Sequence, residues 1–317
     1  MDFINLRPVF NRKVSAKNPL LFIYKTVVSH LPRPMNNHVK NQHYVPQFLL
    51  KNFSSRGKKF IWAYDKNEKY SIKNQIKERP IKKVASEEYF YDQNENNKIG
   101  SYEYALQQAE DATAPIIEKI IETKNIIDLS EDERRTLSFF ITLQNLRTKG
   151  QLLQTETSME NLSKQLKDKA NIEVPNVDSK KIWFSMLEKS TSFYEILMNK
   201  VWMLSESNNS FLISDNPVTL QNTTDISEIR GTLGLESFGI EIYLPLSPSL
   251  TLCLFCEKLF ENSGYNKKYI PNLTCKPENV ENINSLQIAY SERFIFSHKN
   301  EFELVKKQLK NALQHRV

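Results

Sequence analysis

The sequence predicts an α+β fold, with N- and C-terminal strands forming a mainly antiparallel sheet and a central helical segment packed on it. Three observations predict this. Short, turn-bounded apolar runs fill residues 59–84 and 200–256, and apolar residues recur at helical spacing through the centre. Strand groups at both ends with helices between them favour one body whose sheet joins the two ends of the chain.

The elements follow in order. Pro46 opens Gln47–Phe53, read as a short helix with proline in its first turn. Lys59–Tyr64 and Lys69–Ile72, separated by Asp-Lys-Asn-Glu, read as a β-hairpin. A short strand is expected near Ile81–Val84, before the aromatic cluster Tyr89, Phe90 and Tyr91. From Ile99 to about Thr123, apolar residues at Ile99, Tyr102, Leu106, Ala109, Ala112, Ile116 and Ile120 give a helical period. Ser130 with Glu133 forms a capping box for the next helix, which presents Leu137, Phe140, Ile141 and Leu146 and is expected to run past Leu153. The polar stretch Gln154–Asp178 reads as a helix tail and loop, and a further helix spans about Ser179–Leu197. Lys200–Ser205 and Phe211–Ser214 flank Asn208-Asn209, a hairpin turn signal. Ile240–Leu244 and Leu250–Cys256 are apolar strands around Pro245-Leu-Ser-Pro248. A helix from about Glu278 to Ala289, a strand Phe294–Ser297 and a helix Glu301–Leu313 close the chain.

Composition narrows the class. With 40% apolar and 25% charged residues the chain is globular, and 317 residues can bury a sizeable core. Neither G-x-G-x-x-G nor G-x-x-x-x-G-K-[ST] occurs, which disfavours nucleotide binding of those two kinds. Residues 1–40 form a basic N-terminal arm with seven basic side chains against Asp2, and Met35 is an alternative start. Residues 41–317 read as a single α+β body holding 36 basic and 36 acidic residues, so the pI near 8.9 belongs to the arm. The apolar stretch Pro19–Leu31 contains Lys25 and is too short to span a bilayer, and no small-residue cleavage site follows it. Three cysteines give no disulfide framework, which points to a reducing, cytoplasmic setting. Cys253 and Cys256 lie within one strand, where a three-residue offset puts them on opposite faces and argues against a zinc site.

The string Gln42-His43-Tyr44-Val45-Pro46-Gln47-Phe48-Leu49-Leu50-Lys51-Asn52-Phe53 resembles the opening signature of a bacterial family known as domain of unknown function 4238. Further pieces agree in order: the aromatic cluster, the helix bearing Glu103 and Glu110, Gln144–Thr148, Ser214-Asp215-Asn216-Pro217-Val218, Pro245–Pro248, and Asn284 followed by Arg293. The resemblance covers roughly residues 41–298. It implies a bacterial or phage-related origin and supplies no activity, cofactor or substrate.

Seven residues are candidates for chemistry. His43 suits acid–base or metal work at neutral pH, or else bonds backbone while ordering the turn at Pro46. Tyr44 could support a site through its hydroxyl, or pack. Glu103 and Glu110 are seven residues apart and share a helix face, where a pair turned inward can hold a metal or polarise a water. Arg147 could clamp an anion with its planar fork, or pair with one of those acids. Asp215, with Asn216 beside it, sits at a strand end where catalytic carboxylates are common, although Asp and Asn before proline also build turns. Arg293 and His298 have the R-x-x-x-x-H spacing of helical RNA-cleaving domains, but an odd separation along a strand separates them.

Two functions stay open. The first is a hydrolase acting on nucleic acid or nucleotides in a bacterial defence or toxin context, with Asp215, Glu110 and His43 catalytic, Arg147 holding an anion, and a divalent metal as the cofactor to test. The second is a non-catalytic ligand-binding or regulatory module whose polar motifs are structural.

Overall fold

Two sheets and a run of helices share one large hydrophobic cluster in the computed structural model, which describes residues 39–67, 72–95, 98–173, 178–224, 233–261 and 269–314. Nearly all of the basic arm, and Lys69 of the expected hairpin, lie outside the described residues.

The first third supplies β1 (Asn41–His43), α1 (Gln47–Lys51), β2 (Phe60–Asp65), α2 (Ile72–Gln75), β3 (Ile76–Pro80), β4 (Ser86–Glu88), β5 (Asp92–Glu95) and β6 (Lys98–Ser101). The helical centre comprises α3 (Glu103–Thr123), α4 (Glu131–Leu146), α5 (Lys149–Ala170), α6 (Ser179–Lys189) and α7 (Tyr194–Met198). The last third adds β7 (Val201–Glu206), β8 (Ile213–Ser214), β9 (Thr219–Asn222), β10 (Ile240–Ser247), β11 (Leu250–Phe255), β12 (Tyr269–Thr274), α8 (Pro277–Tyr290), β13 (Phe294–Ser297) and α9 (Glu303–Gln314). The fold is α+β.

A four-stranded antiparallel sheet, in the order β3-β2-β13-β8, joins the two ends of the chain. A second sheet of five strands, β12-β7-β11-β10-β9, comes wholly from the last third, and its β12–β7 pair is parallel. Strand β10 is buried along its whole length, so its side chains meet protein on both faces and its sequence, Ile-Glu-Ile-Tyr-Leu-Pro-Leu-Ser, carries apolar residues on both. Two small ribbons, β1–β4 and β5–β6, complete the pairing.

Four expectations are corrected. The strand pairing with β2 is β3, because residues 72–75 are helical and the partner comes later. Ile81–Lys83 is a 3-10 turn after Pro80, not a strand. Helix α4 stops at Leu146 instead of running past Leu153, and Thr148 caps a new helix by accepting from the Gln151 N–H. The chain segments flanking Asn208-Asn209 are no hairpin: β7 lies in the five-stranded sheet and β8 in the four-stranded one. The capping box is present, with Ser130 Oγ accepting from the Glu133 N–H and the Glu133 carboxylate accepting from the Ser130 N–H.

Aromatic packing welds the first third to α6. Trp183 is fully buried; Tyr91 stacks on it at 5.8 Å and Phe90 meets its edge at 5.2 Å, while Tyr44 packs against Phe90 at 5.4 Å. Cys253 lies in a small cluster with Phe211 and Val280, whereas Cys256 belongs to the main cluster, so the two thiols do face apart. Among the described residues no helix is long and apolar enough to cross a membrane.

Candidate functional site

The sharp break between α4 and α5 creates a well-connected polar centre. The last carbonyls of α4 would be left without partners there. Instead the Trp183 indole N–H donates to the Leu146 carbonyl at 2.7 Å, and the Tyr91 hydroxyl donates to the Arg147 carbonyl at 2.8 Å. Held at that corner, the Arg147 side chain is 1% exposed and points inward. Its guanidinium donates to Glu110 Oε1 at 2.7 Å, to the His43 carbonyl at 2.7 Å and to the Tyr91 hydroxyl at 3.2 Å. One turn earlier on α4, Gln144 Nε2 donates to the Tyr44 carbonyl at 2.9 Å. Gln144 and Arg147 thus grip the backbone of residues 43 and 44 from one helix end.

The first motif is fixed from the other side as well. Gln42 is fully buried; its Oε1 accepts from the Tyr91 N–H at 2.6 Å and its Nε2 donates to Asp92 Oδ1 at 2.8 Å. The His43 ring bonds the Ile81 backbone, and its Nε2 is buried without a partner. Burial lowers the imidazole to about 4, with the nearby Arg147 charge adding to the effect and the Ile81 bond opposing it. Glu103, in the first turn of α3, has a buried Oε2 without a partner. Burial raises its carboxyl to about 7, with Glu110 and Asp92 adding to the rise and Arg147 pulling it back. The centre therefore combines an imidazole kept neutral at physiological pH with a carboxyl that changes charge near pH 7.

Asp215 and Asn216 belong to a second centre. The Asp215 carboxylate accepts from three consecutive backbone N–H groups, those of Glu292 at 2.9 Å, Arg293 at 2.8 Å and Phe294 at 2.8 Å. It is 2% exposed, and burial pushes it up to about 6 while the three amides pull the other way. Asn216 Nδ2 donates to the Tyr290 carbonyl at 2.8 Å. Ser214 and Gln287 complete the clasp: Gln287 Oε1 accepts from the Ser214 N–H and its Nε2 donates to the Pro217 carbonyl, each at 2.9 Å. The turn seals β8 to α8 and to the start of β13. Helix α5 abuts it so closely that a Cβ on Gly150 would fall 2.0 Å from Asn216 Nδ2.

His43, Glu103, Glu110 and Arg147 are brought together, and Asp215 and Asn216 are not in their centre. Tyr44 lies between the two: its ring is buried on Phe90, and burial, with the Asp215 and Glu87 charges, holds its hydroxyl protonated. Among the described residues no group of three or more His, Cys, Asp or Glu side chains is gathered as a metal would require.

Sequence reasoning missed two features. Asp65, fully buried, grips Arg293 through paired bonds of 2.9 Å and Arg79 at 3.2 Å; an acid after an apolar strand gave no hint of partners so distant. The second is a lysine-rimmed hollow of about 450 Å³ between α1, the 56–59 turn and the 3-10 turn after β3. Its signal was available, because residues 41–83 hold eleven basic and three acidic side chains, an excess that the acidic remainder of the body conceals.

No curated protein and no solved structure matches the chain. A family model matches residues 41–301, a span that holds His43 and Tyr44, Arg147 and the Asp215 turn, and the chain belongs to the family described as protein of unknown function (DUF4238).

Proposed function

We propose that the protein is a ligand-binding module whose polar motif residues brace the fold. The observation that carries this reading is the use of Asp215: its carboxylate accepts from three successive amides, and a carboxylate so engaged has little capacity left for substrate, water or metal. The Arg147 fork is engaged in the same way, which favours a bracing role over an anion clamp. Three cysteines without disulfide bonds agree with a reducing bacterial cytoplasm as the setting.

Denaturation of Asp215→Asn in urea at pH 7.5 tests it. The amide keeps the shape but loses the charge and sets an N–H₂ against backbone donors, so stability is expected to fall by about 2–4 kcal/mol. Unchanged stability combined with a lost cellular or enzymatic effect would reject the bracing role in favour of a catalytic one.

A hydrolase acting on nucleic acid or nucleotides, in a defence or toxin setting, draws support from one observation. Glu103, raised by burial to about 7, has a buried oxygen without a partner, and it shares the Arg147 charge with a neutral His43. Cleavage of RNA, DNA or nucleoside triphosphates by wild type and not by Glu103→Gln, with both equally stable, would establish it.

A further inference from the structure

Around the hollow at the edge of the four-stranded sheet, Lys51 comes from α1, Lys58 and Lys59 from the turn before β2, and Lys82 from the 3-10 turn after β3. Gln47 adds a polar side chain, and Phe60, Pro80 and Ile81 form an apolar wall. Pairing of Phe60 with Pro80 and the Ile81 N–H donating to the Lys59 carbonyl at 3.0 Å tie the wall to the sheet. The turn is closed by the Lys59 N–H donating to the Arg56 carbonyl at 3.1 Å, with Gly57 and Lys58 both at φ +56°. That left-handed backbone is uncommon for lysine and is held here by the turn.

None of the four lysines forms an ion pair among the described residues. Two acids of the adjoining strands β2 and β3 are committed elsewhere. Glu78 takes Arg56 at 3.0 Å and the Ser55 hydroxyl at 2.7 Å, and Asp65 takes Arg79 and Arg293. Four ammonium groups around one hollow repel one another, and a polyvalent anion would relieve that repulsion. Lysine offers a rotatable point charge with three donors, which suits a chain of phosphates better than a planar carboxylate.

We infer that this hollow binds a polyphosphorylated small molecule of nucleotide size, its phosphates on Lys51, Lys58, Lys59 and Lys82 and its apolar part against Phe60, Pro80 and Ile81. The inference rests on reading the chain as a binding module and supplies its ligand class. The hollow is half open, and its volume of about 450 Å³ falls within the size range of small-molecule sites. A single nucleic-acid strand instead tracks a basic groove over roughly 4–16 nucleotides.

Calorimetric titration of the full chain at low salt tests it, with inorganic tripolyphosphate, a nucleoside triphosphate and a twelve-nucleotide single strand as probes. Both triphosphates should saturate at one site per chain. Lys58→Ala/Lys82→Ala should weaken them by about 100-fold, roughly tenfold per charged contact, with an unchanged melting temperature. Lys164→Ala/Lys167→Ala on α5, which removes equal charge, should leave both affinities as they are. No saturable binding, equal affinity in the Lys58/Lys82 variant, or tighter binding of the oligonucleotide than of the triphosphate would each overturn the inference. The Asp215→Asn denaturation uses no ligand, so a failure here rejects the ligand class without touching the bracing role.

Discussion

The segment from His43 to Lys51 has two unlike neighbourhoods. On one side, Arg147 is buried and bonded to a carboxylate, a carbonyl and a hydroxyl; on the other, Lys51 joins three exposed lysines that have no ion-pair partner among the described residues. A buried charge survives only with partners, so Arg147 reports on how the fold is held. An exposed cluster of like charges repels itself and adds nothing to stability, so Lys51, Lys58, Lys59 and Lys82 report on the surface and not on the fold. The same contrast separates Asp215, enclosed by amides, from the acidic side chains that leave the lysine hollow unneutralised.

Substitutions on the bonded side should therefore cost stability, and those on the open side should not. The largest effect is expected for Arg147→Met, which strips donors from Glu110 and from the His43 carbonyl and should lower unfolding free energy by about 3–5 kcal/mol. In a double-mutant cycle with Glu110→Gln the loss should be less than additive, because the two side chains share one interaction. Additive losses would mean the pair is not coupled and would weaken the contrast.

Protonation sharpens it further, with two opposite slopes. The folded pKa of His43 is depressed to about 4, so its contribution is fully present above pH 6.5 and is lost as pH falls through 4. Glu103 is raised to about 7, so its contribution is fully present below pH 4.5 and is lost as pH rises through 7. Each amounts to about 3 kcal/mol across its window, and the two oppose one another between pH 4.5 and 6.5. Thermal denaturation of His43→Gln should reveal stability that falls as pH rises through this range, and that of Glu103→Gln stability that falls as pH drops. Parallel pH profiles for the two variants would show that the titrations lie elsewhere. The smallest stability effects, within about 0.5 kcal/mol, belong to single alanine substitutions at Lys51, Lys58, Lys59 and Lys82.

What could be read in the sequence was local. The Ser130–Glu133 box, proline before α1 and the strand around Leu250–Cys256 each follow from neighbouring residues, and the structure has them. The break at Arg147 has no proline to announce it, and the local signal, Thr148 with Gly150 and Gln151 after it, was passed over; Trp183 and Tyr91 reach the two carbonyls there from elsewhere in the chain. The Asn208-Asn209 signal failed because β8 pairs with β13, a strand about eighty residues later. Asp215 read as a possible self-contained turn, yet its three donors lie 77–79 residues away. The candidate residues were thus visible by type, while their division into two centres was a matter of tertiary contact. The hollow was hidden by adding charge over the whole body, which cancels the basic excess of residues 41–83.

The separation of bracing from binding charges rests most directly on the amides that Asp215 holds. Native-state hydrogen exchange of the Glu292, Arg293 and Phe294 N–H groups reads those bonds one at a time. Bracing predicts protection matching the centre of β13 in the wild type, and exchange accelerated at all three amides in Asp215→Asn. Exchange at the rate of an exposed loop in the wild type, with the rest of β13 protected, would contradict it.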